Sequence, residues 1–67
     1  MPWYSVKTFA HRDRRSTGAT LIDTAMFPAD SDEEAKLEGF KRSKLEDGGD
    51  YASVMGPDGK LVALFQK

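Results

Sequence analysis

Cysteine is absent from these 67 residues, and histidine and tryptophan occur once each. Without cysteine there is no disulfide scaffold, thiolate metal site, iron–sulfur cluster or cysteine nucleophile. His11 is the lone histidine and the acidic residues show no ligand spacing, so neither a metal nor another cofactor is expected. No apolar run approaches the roughly eighteen residues of a membrane helix, and no signal peptide is expected at the start. An excess of one charge is also missing, since ten Lys and Arg against eleven Asp and Glu leave a net −1. A strongly basic nucleic-acid binder and an acidic tail are thereby excluded as descriptions of the whole chain. A cytoplasmic protein is the expectation.

What is present suits a folded domain. Hydrophobic residues make up 39% and charged residues 31%, a balance that separates the chain from disordered sequences. The length allows one small domain, 1–67, and a core of that size supplies only about 3–5 kcal/mol net. Disulfides and metals offer no help, so oligomerisation is the remaining common support and a homodimer is expected.

Residues 3–10 (WYSVKTFA) are rich in aromatic and β-branched types and read as a strand. Residues 11–19 (HRDRRSTGA) show no apolar periodicity and read as a loop. A second strand follows over 20–27, ended by Pro28, and should pair with the first as an antiparallel hairpin. Ser31 and Glu34 have capping-box spacing at the start of a predicted helix over 32–46. Its acidic first turn and basic end complement the helix dipole, and Gly48 and Gly49 should stop it. Its apolar stripe is narrow, with Leu37 and Phe40 on one face, Leu45 well around from them, and Gly39 placed to permit a close approach. A hairpin over 51–65 closes the chain, turning at Gly56-Pro57-Asp58-Gly59. The continuously apolar Leu61–Phe65 predicts a central strand buried on both faces. The sum is an α+β fold, ββαββ, with a four-stranded, mainly antiparallel sheet and one α-helix on one face.

One helix cannot cover four strands, so part of the sheet should stay open. Trp3, Phe9 and Met26 are the candidates for apolar groups on that uncovered part, where a partner protein or a second copy would bind. The loop carries a different signal. His11, Arg12, Arg14, Arg15 and Thr17 gather donors that suit phosphate or carboxylate, and Trp3, Tyr4 or Phe9 on the adjoining strand offer stacking surfaces for a base. The GxxxxGK[ST] spacing of a phosphate-binding loop is not there. Arg14-Arg15-Ser16-Thr17 has the pattern of a basophilic kinase site. Asp23 interrupts an otherwise apolar strand and reads as an edge-strand charge against sheet-to-sheet aggregation, or as a site residue if paired to an arginine. Lys36, Lys41, Arg42 and Lys44 offer the helix surface to an acidic partner.

Removal of Met1 would leave Pro2 as a secondary amine at the head of a strand, and burial would bring its pKa toward neutral. This opening resembles that of the tautomerase superfamily, whose short chains use an amino-terminal proline as general base. The resemblance covers about ten residues and ends there, because a long helix should follow the first strand and here the arginine loop and a second strand intervene. The ββαββ pattern with its Pro-Asp-Gly hairpin also resembles short bacterial domains to which no activity attaches. No nucleophile–base pair, metal cluster or cofactor loop emerges. The reading is therefore a small non-catalytic interaction module, homodimeric through the uncovered sheet face. The alternative is an anion or nucleic-acid binder acting through 11–19, and an enzyme using Pro2 is remote.

Overall fold

A computed structural model describes residues 2–10 and 20–66. The strands form where aromatic and β-branched residues concentrate: β1 over Trp3–Ala10, β2 over Thr20–Pro28, β3 over Tyr51–Met55 and β4 over Leu61–Gln66. Helix α1 spans Asp32–Arg42, and a single 3₁₀ turn follows at Leu45–Asp47. The sheet order is β2-β1-β3-β4 with every neighbouring pair antiparallel. The expected ββαββ architecture is thus the one observed. No helix among the described residues is long and apolar enough to cross a membrane.

Register decides which side chains meet. Val6 lies between Ala25 on β2 and Val54 on β3, and Thr8 lies between Asp23 and Ala52. Directly opposed residues of antiparallel strands share a face, so Tyr4, Val6, Thr8, Phe27, Ala52 and Val54 all point toward the helix. All six are buried, together with Ala29, Ala35 and Leu45. Ala25, Val62, Ala63 and Phe65 pack at the margin. Tyr4 stacks on Phe27 at 6.1 Å between centroids, and the Arg42 guanidinium stands 5.7 Å from the Phe27 ring.

The helix meets this layer with its smallest residues. Ala35 and Gly39, one turn apart, are its buried positions. The sheet supplies the bulk (Phe27, Tyr4, Val54) and the helix supplies the space, which is how interdigitating layers reach close packing. A Cβ on Gly39 would fall inside contact distance of Val54 Cγ2, with Phe27 Cζ at 3.5 Å. Leu37 lies midway between Ala35 and Gly39, about 180° around the helix from them, and is therefore turned to solvent. The expected Leu37–Phe40 stripe is accordingly not the buried face.

The start of α1 follows the capping logic. Glu34 N–H donates to Ser31 Oγ at 3.2 Å, and the Glu34 carboxylate accepts from the N–H of Asp30 rather than from that of Ser31. Tyr4 OH donates to Asp32 Oδ1 at 2.8 Å, which ties the first turn to β1. The end differs from expectation: the α-helix stops at Arg42, not at residue 46. On a continuous helix Leu45 would sit about 100° away from the Ala35–Gly39 line and miss the core. Instead Ser43 turns extended and its hydroxyl donates to the Phe40 carbonyl at 2.8 Å. Lys44 N–H then donates to the buried Thr8 hydroxyl at 3.1 Å, and Leu45 is buried.

Two further expectations change at the strands. Pro28 belongs to β2, paired with Trp3, because β2 is an edge strand whose outer N–H row needs no partner. β4 is an edge strand rather than a central one, and Leu61 and Leu64 are exposed. An apolar run alone cannot separate burial on two faces from burial on one face with a second apolar face left open. The final turn forms as its residues require. Gly59 takes φ +82°, its N–H donates to the Gly56 carbonyl, and Lys60 N–H donates to Asp58 Oδ1.

Replacing Gly39 with alanine should cost about 1–3 kcal/mol in urea unfolding through overpacking, although alanine in a helix would otherwise gain about 1 kcal/mol. Stabilisation by this change would show that the helix rides higher than described. The hydrogen bond to Asp32, burial, and the charges of Asp32 and Asp58 hold the Tyr4 phenol above its ordinary pKa. Its contribution is therefore intact below pH ~10 and is lost as pH rises through the raised value. Tyr4→Phe should flatten the alkaline limb of a stability-versus-pH curve, and an unchanged limb would count against this role.

Candidate interaction face

The sheet face turned away from α1 is built by the other parity of each strand. Register sorts it into rows. Met26, Ser5, Met55 and Leu61 form one row, and Thr24, Lys7, Ser53 and Leu64 the next. Leu21, Phe9, Tyr51 and Gln66 form a third, and Trp3 lies beyond the first beside Pro28. The result is two largely apolar rows separated by a polar one with Lys7 near its centre.

Five of the apolar side chains on this face are exposed. Met26 is 61% exposed, Leu61 59% and Trp3 56%, with Leu64 and Leu21 close behind. Phe9, Tyr51 and Met55 are half-buried. Phe9 and Tyr51 lie on the two central strands and stack at 5.1 Å between centroids, 20° from parallel. Such contiguous apolar area on a small protein marks an interface more often than not. Trp3, Phe9 and Met26 do share this face. Sequence reasoning missed Leu21, Tyr51, Met55, Leu61 and Leu64. The parity of Tyr51, Ser53 and Met55 was readable, but the strand order that sets them beside Phe9 was not.

The other candidates are dispersed. His11, Arg12, Arg14, Arg15 and Thr17 lie outside the described residues. The flanking pair Ala10 and Thr20 closes the β1–β2 ladder at the Leu21–Phe9 end. Asp23 stands half-buried on edge strand β2, on the helix side, opposite Thr8. It lines an open cleft of about 640 Å³ with Ile22, Lys44, Asp47, Gly48 and Asp50. No three His, Asp or Glu residues among the described ones gather to hold a metal. Pro2 is exposed, outside the core, and its carbonyl accepts the N–H of Ala29 at 3.1 Å.

Compared with protein-family models, curated proteins and solved structures, the chain matches none.

If the Phe9–Tyr51 stack organises the centre of the face, a double-mutant cycle with alanine at each position should return a coupling of about 0.5–1.5 kcal/mol. A coupling near zero would mean that the two rings merely lie side by side.

Proposed function

We propose that this protein is a small, non-catalytic, cytoplasmic interaction module that pairs with a second copy of itself through the open sheet face. The observation that carries the reading is the row of exposed apolar side chains on a sheet whose opposite face alone is covered by a helix. Four strands about 4.8 Å apart and about 20–25 Å long present a plane of roughly 450 Å² before side-chain relief is added. That comes within reach of the ~800 Å² per partner of a standard interface. A domain with this small a core also gains the most from such cover.

The row pattern favours one arrangement. A twofold axis running along the strands between β1 and β3 exchanges β1 with β3 and β2 with β4. Lys7 then meets Ser53 of the partner subunit, Met26 meets Leu61, and Phe9 meets Tyr51. An axis across the strands would instead oppose the two lysines. Two sheets packed at about −30° blur these contacts without changing which rows meet.

Light scattering on a sizing column should give twice the chain mass, unchanged by salt, because the contact is apolar. Met26→Asp with Leu64→Asp places charges on exposed positions outside the core and should yield a folded monomer. A monomeric parent would overturn the reading. Salt-sensitive binding of a single-stranded oligonucleotide, lost on Arg14→Ala and Arg15→Ala, would favour the anion-binding alternative.

A further inference from the structure

We propose that the polar row across the middle of the sheet face binds a small, doubly charged oxyanion of the phosphate type, held between Lys7 and the partner's Lys7. The inference rests on the self-pairing proposed above, because one copy supplies only half of the site.

Register isolates the charge. The row holds Thr24, Lys7, Ser53 and Leu64, and it runs between the Met26–Leu61 row and the Leu21–Tyr51 row. Lys7 is the one charged side chain in these three rows. It is exposed and forms no ion pair with another described residue. The acidic residues nearest along the ladders, Asp23 and Asp50, are turned away, since both line the cleft on the helix side. In a single copy water solvates the ammonium group, and its isolation has no consequence.

Closing the face changes that. Strands lie about 4.8 Å apart and packed sheets about 10 Å apart. With the twofold axis along the strands between β1 and β3, Lys7 and the partner's Lys7 approach from opposite sheets, offset by one strand. Stems extended into the gap bring their ammonium groups to about 5 Å from each other, near the axis. The apolar rows above and below hold bulk water back. Two like charges then repel in a low dielectric, and neither meets a carboxylate. The remaining polar groups of the row are the hydroxyls of Ser53 and Thr24 from each copy. These can orient a ligand but cannot neutralise a charge.

The chemistry of the row selects the ligand. A tetrahedral oxyanion on the axis cancels both ammonium charges and accepts hydrogen bonds from the hydroxyls beside them. A cation is repelled, and a neutral solute leaves the two charges unmatched. Lysine suits the task because its ammonium is a compact charge on a flexible stem, so two stems can converge on one point.

Inorganic phosphate is the probe. The readout is the dimer dissociation constant of the full chain, from sedimentation equilibrium in chloride buffer at constant ionic strength. Phosphate at about ten times its own dissociation constant should tighten the dimer about tenfold. Calorimetry should return one phosphate per pair of chains. Lys7→Met removes the charge at an exposed position, and circular dichroism checks that the variant folds. It should dimerise at least as tightly as the parent and no longer respond to phosphate. A dimer equally tight with and without phosphate, or a phosphate response that persists in Lys7→Met, would overturn the anion site and leave the pairing standing. A parent that stays monomeric in both buffers would overturn the pairing and the site together.

Discussion

The close approach of α1 to the sheet at Gly39 is the constraint on which the rest depends. A helix seated on Ala35 and Gly39 lies near enough for Val54 and Phe27 to fill the space that side chains of its own would otherwise take. The depth of that seat sets the reach of everything tied to it. Asp32 meets the Tyr4 hydroxyl at one end of the helix. At the other, the chain after Arg42 comes down far enough for Lys44 N–H to find the Thr8 hydroxyl. Thr8 is a buried polar residue of the core, and this bond satisfies its hydroxyl where an unmatched one would be costly.

Seating by small residues also distributes the hydrophobic side chains in an unusual way for so short a chain. The core uses aromatic and branched residues from β1, β2 and β3 but only alanine and glycine from the helix. Large apolar groups are left over on both outer surfaces, Leu37 and Phe40 above the helix and the Met26–Leu61 and Leu21–Tyr51 rows below the sheet. In a chain with 39% hydrophobic residues, a sizeable part of the apolar surface therefore stays outside the core.

How much of this was legible in the sequence varies from element to element. The Ser31 cap, the Gly59 turn and the β1–β2 pairing rest on short-range rules, and the structure follows them. The role of Gly39 was half legible: its small size pointed to close approach but not to Val54 as the neighbour. The helix end was not legible, because residues 43–46 are compatible with a helix and only the distant Thr8 hydroxyl and the need to bury Leu45 argue otherwise. The placement of β4 failed for a related reason. An apolar pentapeptide reads the same whether its second face is covered or open, and only strand order decides. For the candidate face, Trp3, Phe9 and Met26 were accessible through parity along β1 and β2. Their neighbours across the sheet required long-range register, which no local pattern encodes.

Both irregularities in the ladders fall on the outermost strands. Between Thr8 and Phe9 the register skips Ile22 of β2, and between Val54 and Met55 it skips Val62 of β4. Each extra residue puts a bulge in an edge, and Pro28 removes a donor from one of them. Edges interrupted in this way are poor templates for a further strand. Growth of the sheet sideways, the route by which small β-rich proteins pass into fibres, is therefore discouraged at both margins. A chain that exposes this much apolar surface on its sheet is thus guarded at the two edges where a further strand could otherwise add.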